Sequence, residues 1–126
     1  MFEQDYIVRQ IKECVAAAMK LVFKIDTESP ASRLIQDEEK KVKSDELLLK
    51  IDSGNIRDAV SQLYTLGEDR TKDDLLISLV FYSYLCEKDD DFLDLNNISF
   101  SEIKEGMKYY FSQFGIPEVT DLFFYE

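Results

Sequence analysis

The chain has no histidine and no tryptophan, and only two cysteines, two prolines and four glycines in 126 residues. Without histidine, the usual general base near neutral pH and the commonest metal ligand are both missing. Cys14 and Cys86 stand far apart, with no spacing that suits a metal or a redox pair, and are expected to be buried free thiols. Few glycines and prolines leave no glycine-rich phosphate loop and few breaks in regular structure. Basic charge is also scarce: 15 Lys and Arg against 26 Asp and Glu give a formal net charge of -11. A nucleic-acid partner is therefore not expected.

What remains is a chain that should fold: 45% hydrophobic, 13% aromatic, and of a length that fits one domain, 1–126. Its acidic opening, Phe2-Glu3-Gln4-Asp5, lacks the basic and apolar regions of a secretory signal, so a cytoplasmic location is expected. The acidity is uneven. Residues 1–50 hold 9 basic and 10 acidic side chains, and residues 51–126 hold 6 and 16.

Helical periods run through most of the sequence. Ile7, Ile11, Val15, Ala18, Val22 and Ile25 recur at steps of three or four and predict one long amphipathic helix over 2–25, with Gln10 on its polar side. Ser29 and Pro30 predict a second start, Asp37 to Lys41 a solvated mixed-charge face, and Ser44 a fresh N-cap after a break near Lys43. Gly54 and Asn55 separate the next helix, 56–66, whose inner face is Ala59, Val60, Leu63 and Leu66. Thr71 and Asp74 have capping-box spacing ahead of Leu75–Cys86, where only Ser78 and Ser83 are polar. That run is too short for a bilayer, which takes about twenty residues, and predicts a buried central helix. Residues 87–97 read as an acidic loop whose apolar members fold back on the core. Ser99 with Glu102 opens a helix that stops at Gly115, and Pro117 opens a short last one. The predicted fold is all-α: a compact bundle of about five to six helices.

The opening Met1-Phe2-Glu3-Gln4-Asp5-Tyr6-Ile7-Val8-Arg9-Gln10-Ile11 resembles the start of an uncharacterised family of short proteins from Gram-positive bacteria. The resemblance implies a small cytoplasmic helical protein and carries no activity. Gly54-Asn55-Ile56-Arg57-Asp58-Ala59 resembles the turn of a tetratricopeptide repeat, and Leu63 fits the repeat's next large position. Lys43 and Lys50 stand where that repeat has aromatics and Thr71 where it has proline. A single TPR-like hairpin in the middle of the bundle is the reading that follows.

Two carboxylate constellations invite a chemical reading. Glu102-x-x-Glu105 followed by Glu118-x-x-Asp121 is similar to the pattern with which all-α nucleoside triphosphate pyrophosphatases hold Mg²⁺. These pairs open two successive helices, so about 20 Å of helix axis separates them, and acidic residues belong at helix N-termini for dipole reasons alone. The Asp89–Asn97 stretch offers no register with oxygens at the calcium-loop positions. No cofactor or metal is therefore expected, and a Mg²⁺-dependent hydrolase stands only as the alternative to a non-catalytic protein.

The expected function is protein–protein contact or self-association, with no membrane and no nucleic acid. Val8, Met19 and Phe23 broaden the apolar stripe of the first helix, and Phe123-Phe124-Tyr125 put more rings on a short helix than one inner face can cover. Phe23, Phe123, Phe124 and Tyr125 are thus the candidate partner contacts, and a homodimer through the first helix is the candidate assembly.

Overall fold

A computed structural model of the chain describes residues 2–23 and 35–124; for residues 2–5, 23, 67 and 90 only the backbone is described. Seven α-helices account for most of it: α1 Phe2–Ala18, α2 Glu38–Asp52, α3 Ile56–Leu66, α4 Lys72–Cys86, α5 Asp90–Leu95, α6 Phe100–Gln113 and α7 Pro117–Phe123. No strand occurs among the described residues.

The organising element is α4. Thr71 closes a capping box, its hydroxyl accepting from the Asp74 N–H at 3.2 Å while the Asp74 carboxylate accepts from the Thr71 N–H at 2.9 Å. Beyond the cap, ten of the helix's fifteen residues are buried, so it is apolar nearly all round, as a helix enclosed by others must be. Helices α1, α2 and α6 pack on it, α3 packs on α2, and α7 lies on both α1 and α6. The core runs from Ile11, Cys14 and Ala18 of α1 through Leu47 and Ile51, Leu75 to Leu85, and Met107 to Phe111.

The turn between α2 and α3 follows the sequence reading. Gly54 has φ +87°, which a side chain rarely tolerates, and the Gly54 and Asn55 N–H groups donate to the Ile51 and Lys50 carbonyls. Ile56, Ala59 and Leu63 then bury the inner face of α3, with Val60 and Leu66 partly covered.

Four expectations are corrected. The first helix is α-helical only to Ala18 and continues as a π-helical turn over Met19–Phe23; the expected stretch beyond residue 23 and the start at Ser29 and Pro30 lie outside the described residues. Gln10 is buried on the inner face of α1, because its Nε2 donates to the Phe123 carbonyl of α7 at 2.7 Å. No break occurs near Lys43. Helix α2 starts instead at Asp37, whose carboxylate accepts from the Glu39 and Lys40 N–H groups, and Ser44 is buried mid-helix. Finally, the acidic stretch is not a loop: Asp89 accepts from the Phe92 N–H at 2.9 Å and caps α5, which buries Leu93 while leaving Leu95 exposed.

The mixed-charge face of α2 is solvated as read, with Asp37, Glu38, Glu39 and Lys41 exposed and Lys40 the partly covered exception. Lys40 reaches the fully buried Asp74 carboxylate at 2.8 Å, and Asp73 accepts from the Gln36 and Asp37 N–H groups at 3.1 and 3.0 Å. Together these fasten the start of α2 to the start of α4.

Candidate functional site

Helices α3 and α6 face each other across a cleft of about 370 Å³. Its floor is Tyr82 and Leu85 of α4, and its walls are Val60 and Tyr64 on one side and Ile103 and Gly106 on the other. Each wall is placed by a local rule. The Gly54 turn aims α3, and Ser99 starts α6 by accepting from the Glu102 N–H at 3.2 Å.

One end of the cleft is tied shut. Arg57 of α3 forks onto the Glu102 carboxylate of α6 at 2.7 and 3.3 Å and donates to the Asn97 carbonyl at 2.6 Å. The other end is lined by tyrosines. Tyr64 stacks on Tyr110 with ring centroids 5.6 Å apart, and Tyr109 meets both edge-on at 5.1 and 5.3 Å. Tyr64 and Tyr109 are 40% and 46% exposed, which presents two aromatic faces at the surface over a buried base. A recess of about 110 Å³ continues from Tyr64 past Tyr109 to Arg70 and Gln113.

Burial holds the Tyr82 and Tyr110 phenols well above their ordinary pKa of 10.0, assisted at Tyr82 by Tyr64 and at Tyr110 by Tyr82 and Tyr64. The buried Tyr110 hydroxyl has no hydrogen-bond partner among the described residues. Neither phenol is poised to lose a proton near neutral pH. The thiols are equally inert: burial pushes both Cys14 and Cys86 up to about 12.

The acidic constellation does not assemble. Glu102 is engaged by Arg57, and among the described residues no group of three or more Asp, Glu, His or Cys side chains is disposed to hold an ion. Glu105, Glu118 and Asp121 all point to solvent. Four separated carboxylates do not fit Mg²⁺, which needs several oxygens converging at about 2.1 Å.

The expected partner contacts fare unequally. Phe124 is buried, with Lys104 Nζ 5.4 Å from its ring centroid, and Phe123 is partly buried against the core. The last helix therefore turns these two rings inward and leaves Leu122 outside at 70% exposure. Tyr125 and the Phe23 side chain lie outside the described residues. On α1, Met19 is buried while Val8, Val15 and Val22 pack partly against the core, so the broad stripe is largely covered by the chain itself. Tyr6 of α1 and Leu21 of the π-helical turn after it stay exposed.

Sequence reasoning missed Arg57, Tyr64 and Gly106 as cleft residues. A signal existed for Tyr64, an aromatic ring outside the inner face of an amphipathic helix. Nothing local marked Arg57, whose partner is 45 residues away.

Fold and cleft together define a helical bundle with an aromatic surface cleft, and among the described residues no group of three or more His, Cys, Asp or Glu is disposed to hold a metal ion. No described helix is long and apolar enough to cross a membrane. The chain belongs to a family of unknown function, DUF6483, whose model matches residues 1–115. Searches of curated proteins and of solved structures return no match.

Proposed function

We propose that this protein is a non-catalytic cytoplasmic helical domain that works through protein–protein contacts, self-association among them. The observation that carries the reading is the pair of half-exposed rings in edge-to-face contact, Tyr64 at the mouth of the cleft and Tyr109 on the adjoining recess. Tyrosine is favoured at protein interfaces because it supplies a large, stiff contact area with a polar tip. Two further features support it. Both thiols are buried and the Glu102 carboxylate is paired. Large apolar side chains are left outside on several helices, among them Leu21, Leu49, Leu95 and Leu122.

The test is photo-crosslinking in the native cell from a reactive residue at position 109, with exposed position 45 on α2 as control. Discrete protein adducts from 109 and none from 45 are expected. No adduct from 109 would overturn the reading. Sedimentation at micromolar concentration examines self-association separately, and a single monomer species removes that part.

A further inference from the structure

We propose that the recess running from Tyr64 past Tyr109 to Arg70 binds a small zwitterion, a molecule of amino-acid size that carries one ammonium and one carboxylate. This goes beyond protein contact and does not depend on it.

Two opposite charges line this small space without neutralising each other. Glu68, in the 3-10 turn Gly67–Asp69 that follows α3, and Arg70, just past that turn, both face the recess, yet neither side chain makes an ion pair or a hydrogen bond among the described residues. The Gln113 amide of α6 lines the same space, is equally unbonded, and brings both a donor and an acceptor. Arg70 is held at φ +55°, a left-handed conformation that glycine adopts more readily, so the guanidinium comes to this place at a conformational cost. Unlike the floor of the α3–α6 cleft, these groups are open to solvent: Glu68, Arg70, Tyr64 and Tyr109 are all exposed.

The rings complete the pattern. Tyr64 and Tyr109 line the recess with their planes 74° apart, a corner of two aromatic walls in the same space as the Glu68 carboxylate. Aromatic faces and a carboxylate together attract an ammonium. A guanidinium with an amide beside it suits a carboxylate. A simple anion would leave Glu68 opposed by like charge, and a simple cation would do the same to Arg70, whereas a ligand bearing both charges answers both. Size sets the rest. The recess of about 110 Å³ matches the space of roughly four waters at about 30 Å³ each, enough for a small amino acid or a betaine and well below the range of about 300 to 1,000 Å³ of larger ligand sites.

Glycine betaine, L-alanine, acetate and tetramethylammonium, each titrated into the isotopically labelled whole protein, test the site by amide chemical shifts. At least one of the two zwitterions is expected to move the amides of Tyr64, Arg70, Tyr109 and Gln113, and to bind about tenfold or more tightly than acetate or tetramethylammonium, since each of those forgoes one charged contact. Preference for betaine would make the ligand a methylated ammonium held by the rings, and preference for alanine a primary one hydrogen-bonded to Glu68. Arg70→Gly, which suits the left-handed turn, should weaken the zwitterion about tenfold or more with no fall in the thermal midpoint, and Glu68→Gln should weaken it likewise. No shift with either zwitterion at tens of millimolar, shifts confined to another face, acetate or tetramethylammonium binding as tightly as the zwitterions, or an unchanged affinity in Arg70→Gly would each overturn the site.

Discussion

Gly106 of α6 lies directly against the Tyr82 ring of α4: a Cβ at that position would sit 2.2 Å from the tyrosine Oη and 2.6 Å from Cζ. The two helices approach this closely because position 106 has no side chain. Tyr82 is buried and flanked by Phe81 and Tyr110, so its ring cannot swing aside freely. Gly106→Ala is therefore expected to destabilise by about 1 to 3 kcal/mol, overpacking outweighing the roughly 1 kcal/mol gained by alanine over glycine in a helix. A double-mutant cycle with Tyr82→Leu, followed by urea unfolding, checks the cause. The pair should lose less than the sum of the two single changes.

Leu79, in the middle of α4, is 1% exposed. Leu79→Ala should cost about 2 to 5 kcal/mol, the transfer of the lost methyl groups plus the cavity they leave. A urea midpoint within about 0.5 kcal/mol of wild type, the scale of neutral surface changes, would contradict the enclosed position of α4.

Asp74 serves two structures at once, the cap of α4 and the ion pair with Lys40. Asp74→Ala opens the cap and leaves the largely covered Lys40 ammonium only the Thr71 hydroxyl and the exposed Asp69 carboxylate at 3.9 Å, and is expected to cost about 3 kcal/mol, the low end for breaking a buried pair. Lys40→Met should cost less, because the carboxylate keeps the Thr71 N–H. Thermal denaturation of the two variants side by side measures the difference.

Alkaline pH should melt this fold early. Cys14 and Cys86 have folded pKa values of about 12 against an ordinary 9.0, so their contribution is complete below pH 9.0 and is lost progressively as pH rises toward 12. Tyr82 and Tyr110, also raised, add the same loss beginning at their ordinary 10.0. Urea midpoints should fall from about pH 9, and a Cys14→Ala, Cys86→Ala double variant should postpone the fall by about one pH unit. A midpoint flat to pH 10.5 in the wild type would contradict the burial of both thiols.

The fold was legible where local physics decides it. Thr71 with Asp74, Ser99 ahead of Glu102 and the Gly54 turn all act within four residues, and each lies where periodicity and capping put it. What escaped was set by partners distant in sequence. Asp37 begins α2 with the help of Asp73, which holds the preceding N–H groups, so Ser44 is left mid-helix despite its capping chemistry. Gln10 turns inward for a carbonyl 113 residues away. The cleft was hidden for the same reason: α3, α4 and α6 each contribute residues that look like ordinary core or surface in their own helix. Phe124 shows the opposite failure, since one short helix seemed unable to bury its rings, yet α1 and α6 both lie against it.

The Gln10 contact with Phe123 bears on how the protein is made. Helix α1 leaves the ribosome ahead of the other described helices, and α7, one of its two principal packing partners, follows them all. Until then the face of α1 that carries Gln10 lacks the cover α7 gives it. The bundle can close over this face of α1 only once α7 is made, and a chain cut short before Pro117 leaves that face uncovered.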